Sequence, residues 1–194
     1  MSAVLPAPRA SVAAPRAAVV IGAAGCASLT ARPLLLDVVG RPALVLTLLF
    51  VGLLAVSVLW PAPTGEAAAT PPRTVLAVLA LGVGAFVVGR LLVTGSPPPA
   101  SATALLVALN TLAAVAEEAF FRRLVYGALL AGGPIVALVG SAVLFAAVHV
   151  TVYGAWVLPL DLAAGLLFGW QRQATGSWTV PAATHAVANV LVVL

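Results

Sequence analysis

Lysine is absent from these 194 residues, cysteine occurs once, and only five side chains are acidic. Each shortage excludes something. A single cysteine, Cys26, rules out an internal disulfide and any thiolate metal cage. Charged residues make up 7% of the chain, against roughly a quarter in a soluble domain, too few to cover a water-facing surface. The nine basic residues are all Arg and stand singly apart from the pair at 122 and 123. Their net charge of +4 therefore lacks the clustered basic face that nucleic acid requires. Arg in place of Lys, with abundant Ala, is what a GC-rich bacterial genome produces. What remains is apolar: 63% hydrophobic residues, with a mean hydropathy of +1.19. This is the composition of an integral, multi-pass membrane protein of the bacterial plasma membrane, with the lipid bilayer as its surroundings.

The chain divides into an N-terminal arm, residues 1–33, and a transmembrane helical domain, 34–194. Residues 1–16, "MSAVLPAPRASVAAPR", are rich in Pro and Ala and read as disordered. The apolar run "AAVVIGAAGCA" that follows has the outline of a secretion signal. It is short, however, and Ala23 stands where lipid-attachment boxes carry Leu. The expectation is a flexible or interfacial arm, or a first helix too short to span easily. Apolar segments then fall at 42–60, 74–93, 101–130, 134–150, 155–170 and 178–194. Pro-rich "PAPTGEAAATPP" and "GSPPPA" and the "GGP" at 132–134 break them. The fold class expected is all-α, a bundle of about six transmembrane helices. Arg90 is expected to extend toward the headgroups, and Trp60, Trp156, Trp170 and Trp178 to mark helix ends. Arginines divide too evenly between alternate loops to fix the orientation.

Ionisable residues within membrane helices are costly and mark function by default. Both histidines, His149 and His185, fall in apolar segments, as do the adjacent acids in "VAEEAFFRR" (115–123). Neighbours on a helix point about 100° apart, so the two glutamates face different ways. Glu118 and Arg122 are spaced i, i+4 and can form a buried ion pair. Glu117 has no Arg at that spacing, and a buried carboxylate without a cation is a candidate general base. His149 shares a face with Phe145, and His185 with Asn189. One Glu, two His and one Asn from three helices can converge to activate water and stabilise an oxyanion. The same groups can instead ligate one divalent metal, zinc for example, through Glu117, His149 and His185. Asn110, seven residues before Glu117, supports the site or packs. Asp161, after Pro159, reads as a first-turn residue suited to the helix dipole and is left out of the site. Arg123 reads as interfacial.

Three motifs carry a resemblance. "EEAFFR" (117–122) fits EExxxR, "FAAVH" (145–149) fits FxxxH, and "HAVAN" (185–189) fits HxxxN. Taken in order over residues 101–194, they resemble the CPBP family of intramembrane proteases, which includes the CaaX prenyl endopeptidases and the bacteriocin-processing, Abi-type proteins. The resemblance implies that Glu117 and His149 activate the attacking water. It implies that His185 and Asn189 stabilise the oxyanion while Glu118 and Arg122 brace the first motif. The substrate would be a peptide or membrane protein. Whether a metal takes part is left open by the resemblance, and the first hundred residues carry no motif. Two other readings stand beside it. One is a non-catalytic membrane scaffold or bacteriocin-immunity protein of the same fold, which has no need for such costly polar groups. The other is a proton-coupled transporter, for which the repeat symmetry is missing.

Overall fold

A computed structural model describes residues 13–61, 70–92 and 103–193. The Pro-rich breaks at 62–69 and 95–100, and the segment 1–12 with Arg9, lie outside the described residues. Within them the protein is all-α, with no strand. In order come α1 (Ala13–Thr30), α2 (Arg32–Val39), α3 (Pro42–Leu59), α4 (Pro72–Leu92) and α5 (Ala104–Glu118). After α5 the same helix widens into a π-helical stretch, Ala119–Val125. It recovers in α6 (Tyr126–Leu129), and α7 (Pro134–Tyr153), α8 (Leu158–Thr175) and α9 (Thr179–Val193) follow. Prolines at the first turns of α2, α3, α7 and α8 start helices where their missing N–H costs nothing. Gly154 (φ 87°) and Gly176 (φ 68°) turn the chain after α7 and α8 through backbone angles that side chains resist.

The described residues form a membrane bundle, and its polarity is inverted relative to a soluble domain. Large apolar side chains face outward on every long helix: Leu48, Leu59, Leu81, Leu91, Ile135 and Val192 are each exposed over more than 60% of their surface. Polar side chains are enclosed instead, among them Ser57, Glu118, Arg122, Ser141, Gln171 and Thr184. Only lipid makes that exposure tolerable. Four helices are long and apolar enough to cross a bilayer: Pro42–Leu59, Pro72–Leu92, Ala104–Gly132 and Pro134–Tyr153. A bent pair, Ala17–Thr30 with Arg32–Val39, makes five if it counts as one span. About six were expected. The difference lies at the C-terminus, where α9 is only 15 residues long and α8 carries Asp161, Gln171 and Arg172.

For the stretch 1–33 an arm or a short first helix was expected, and its described part holds the helix Ala13–Thr30, whose inner face is packed. Leu29 is 1% exposed and joins the core formed by Phe50, Phe120, Phe121, Val125, Phe145 and Phe168. Gly25 lies directly against the Phe120 ring, in space that any Cβ would occupy. The Thr151 hydroxyl of α7 donates to the Thr30 carbonyl at 3.0 Å and ties the end of α1 to the bundle.

Two arginines close helix ends. Arg90 does not extend outward; its Nε donates to the Leu191 carbonyl in the last turn of α9, at 3.2 Å. Arg123, expected at the interface, donates Nη1 to the carbonyls of Ser57 and Trp60 at the end of α3. In each case a cation satisfies last-turn carbonyls that have no helical partner.

Small residues set the closest helix approach. A Cβ on Gly165 of α8 would stand 3.1 Å from the Ala142 backbone of α7, and one on Gly169 would stand 3.1 Å from the Leu138 side chain. This four-residue spacing of glycines lets two backbones meet, the usual way that membrane helices gain packing. Gly165→Val should therefore unfold more readily in detergent, by about 1–3 kcal/mol, because overpacking has no room to relax. Gly52→Ala, with nothing within 4 Å of the added carbon, should leave thermal stability unchanged or slightly higher.

Candidate active site

The first motif begins with a buried ion pair. Arg122 and Glu118 are both 0% exposed, and Nε lies 3.2 Å from Oε2 across one helical turn. The guanidinium donates Nη1 to the Ser141 carbonyl at 3.2 Å and lies 5.2, 5.8 and 6.0 Å from the ring centres of Phe145, Phe168 and Phe121. One carboxylate, one carbonyl and three aromatic faces thus surround one cation. The π-helical stretch starts immediately after Glu118 and contains Arg122. Its wider turn shifts the ordinary carbonyl pairing, and the Arg122 carbonyl accepts from Arg172 Nε at 3.0 Å. Arg172 in turn stacks over Tyr126.

Glu118 reaches beyond its own helix. Its Oε1 lies 3.1 Å from His185 Nδ1 on α9. A carboxylate accepts, so Nδ1 carries the proton and Nε2 presents its lone pair. His185 is held flat by Phe168, with ring centres 4.9 Å apart and planes 21° apart. His149 is fixed similarly: Nδ1 donates to the Phe145 carbonyl one turn earlier at 2.7 Å, and the ring stacks on Tyr153. Its Nε2 is again left as the acceptor.

Both lone pairs face Glu117. Its Oε2 lies 3.8 Å from His149 Nε2 and 4.0 Å from His185 Nε2, and the residue is 3% exposed. These separations exceed a hydrogen bond, yet one oxygen atom can lie about 2.8 Å from the carboxylate and either ring. Glu117, Glu118, Arg122, His149 and His185 are thus brought together. Asn189 is not among them. Its amide donates to the Asn110 main-chain carbonyl at 3.1 Å, while the Asn110 side chain returns to Leu106 of its own helix. Asn189 therefore fastens α9 to α5.

Two residues at the site were missed in the sequence. Asp161, left out as a first-turn residue, puts Oδ2 3.8 Å from His149 Nδ1. Arg32, which carried no motif, puts Nη1 3.7 Å from Glu117 Oε1. Glu117 therefore does have a cation, supplied from 85 positions earlier in the chain.

The expected metal-ligand set was Glu117, His149 and His185. Bonds near 2 Å in a tetrahedron place ligand atoms about 3.3 Å apart, closer than the separations here. No group of three His, Cys, Asp or Glu side chains among the described residues is arranged to hold an ion. Arg32 adds a like charge beside the same carboxylate. As the side chains stand, they do not fit a metal; they fit a water.

Comparison with known proteins bears on the same half of the chain. Residues 99–191 match the model of the family described as Rce1-like, Type II CAAX prenyl endopeptidase Rce1-like. Those residues, just under half of the chain, are similar to that family. No curated protein and no solved structure matches the chain. The match covers all three motifs and agrees with the resemblance drawn from them. Arg32 lies outside the Rce1-like region, although its side chain reaches into it.

The buried pair gives a direct test. Glu118→Ala leaves Arg122 without its carboxylate and should cost about 3–5 kcal/mol, read as loss of folded protein on heating in detergent. Replacing both, Glu118→Gln with Arg122→Met, should recover most of that stability while leaving His185 an uncharged amide oxygen as its acceptor.

Proposed function

We propose that the protein is an intramembrane endopeptidase in which Glu117 and His149 activate a water for attack on a peptide carbonyl. The observation that carries this reading is the convergence of Glu117 Oε2 with the Nε2 atoms of two buried histidines. Each imidazole is locked by its other nitrogen, so both lone pairs are aimed before any substrate arrives. The water's lone pair forms the new C–O bond, its proton passes to Glu117, and the carbonyl π pair moves onto oxygen. When the intermediate collapses, the C–N bond breaks and the departing nitrogen takes a proton from Glu117. Glu118 and Arg122 hold His185 and the first motif in register. Asp161 lies on the far side of His149, beside the Nδ1 that holds the ring in place. The peptide would enter from the plasma membrane of a bacterium, with a prenylated CaaX terminus as one candidate class and signalling or bacteriocin peptides as another.

Incubating purified wild type and Glu117→Gln with a membrane proteome, then comparing newly formed peptide termini, tests the reading. Cleavage should fall by about 10²–10⁴-fold in the variant, the usual worth of a positioned base. Matching profiles from two folded proteins would remove the protease reading. No step above uses a metal, so EDTA should leave the rate within about twofold; loss that zinc restores would replace the direct-water step.

A further inference from the structure

We infer that Arg32, from the N-terminal helices outside the Rce1-like region, is a further catalytic residue that donates to the oxyanion. The inference rests on the protease reading above. Three observations lead to it. First, the donors expected for the oxyanion are engaged. His185 spends its Nδ1 proton on Glu118 at 3.1 Å, and its Nε2 is turned to the Glu117 carboxylate at 4.0 Å. The Asn189 amide is bound to the Asn110 carbonyl. His149 spends its proton on the Phe145 carbonyl.

Second, Arg32 is the opposite case. It is 8% exposed, and its polar side-chain contact among the described residues is with Glu117. Its one ionic contact is to Glu117 Oε1 at 3.7 Å, too long to occupy a donor well. A guanidinium with five N–H groups thus stands next to the proposed base with donors to spare, its side chain 10% exposed. Glu117 stands between the two sets of groups, with Oε1 toward Arg32 and Oε2 toward the imidazoles.

Third, Arg32 is held in place. It opens α2 after a 54° bend from α1, and the residues on either side of the bend are fixed. Thr30 accepts from Thr151 of α7, two residues from His149, and Leu29 is buried in the core. The guanidinium also lies over the Phe50 ring at 5.8 Å.

Charge movement during the reaction explains why a fixed cation belongs here. Before attack, Arg32 faces the Glu117 carboxylate. As Glu117 takes the water's proton it becomes neutral, and the negative charge moves to the carbonyl oxygen. That oxygen belongs to a carbon about 3–3.5 Å from the attacking water, so the charge travels only a few ångström. Arg32 keeps a partner throughout, and its N–H groups become donors to the new oxyanion. Donors fixed in a water-poor site need no reorganisation at that moment, which makes them effective.

The test uses the full chain in detergent micelles with an internally quenched prenylated peptide ending in a CaaX sequence. If that peptide is not cut, newly formed termini in a membrane proteome serve as the readout. Wild type, Glu117→Gln, Arg32→Met, Arg32→Lys and Arg32→Ala are compared. Arg32→Met, close in size, should lower kcat by about 10²–10³-fold with KM within about threefold and an unchanged melting temperature. Arg32→Lys should keep part of the rate. Added guanidinium at low concentration, but not urea, should partly restore Arg32→Ala. Wild-type kcat in a folded Arg32→Met overturns the inference and leaves the protease reading intact. Loss that follows melting temperature, with no rescue by guanidinium, assigns Arg32 to structure and overturns it as well. Wild type no more active than Glu117→Gln removes the protease reading, and this inference with it.

Discussion

A fully buried arginine organises this bundle. Arg122 cannot shed its charge, so the fold has to surround it with negative charge and polarizable faces. Glu118 supplies the charge from one turn away, and Phe121, Phe145 and Phe168 supply the faces. Once Glu118 is fixed by Arg122, its second oxygen can serve only one direction, and His185 of α9 lies there. That contact decides which ring nitrogen carries the proton and turns the other nitrogen toward Glu117. A chain of single contacts, from Arg122 to Glu118 to His185, therefore sets the geometry around Glu117. Phe145 and Phe168 belong both to this shell and to the wall that holds His185 flat. A change at Arg122 would thus be felt two residues away in contact order, although Arg122 itself does not face Glu117.

The interior is polar because the exterior cannot be. A lipid-facing surface takes the Leu and Val residues, and each polar group that remains must find a partner inside. Gln171 donates to the Val78 carbonyl and the Thr184 hydroxyl, and so joins α8 to α4 and α9. Arg90 and Arg123 close carbonyls at helix ends. In a soluble domain water would do much of this work, and the helices would have less to determine their neighbours.

Local spacing explains how much of the site could be read from sequence. Glu118 with Arg122 is an i, i+4 pair, visible in any helix, and the structure has it at 3.2 Å. The three motifs grouped Glu117, His149 and His185, and Glu117 Oε2 does lie within 4.0 Å of both imidazoles. What could not be read are contacts without a periodic signature. Arg32 and Glu117 are joined only by the bend after α1, and nothing near "ARP" announces it. Asp161 looked like an ordinary first-turn acid, and the tight α7–α8 packing over Gly165 and Gly169 is what brings it to His149. The π-helical stretch leaves no mark in an apolar pattern of period 3.6, because all of its residues but Arg123 are buried. The Asn189 contact is of the same kind: spacing pairs it with His185 at i, i+4, whereas a carbonyl on another helix takes its amide.

The half of the chain without motifs is not an accessory to the half that has them. The Rce1-like match begins at residue 99, yet the core it contains is completed by earlier residues. Phe120 fits only because Gly25 of α1 has no side chain, and Gln171 fits only because Gly82 of α4 has none. Leu29, Phe50 and Leu53 fill the remaining space around Phe120, Phe121 and Val125. Residues 99–191 alone would expose those aromatic side chains and leave Arg123 without the α3 carbonyls that it caps. The missing motifs in the first hundred residues therefore reflect how packing is encoded. A pair of glycines and a few bulky side chains suffice for it, and many sequences can supply them. Arg32 is the exception, since a guanidinium placed against a buried carboxylate is not interchangeable with apolar filler.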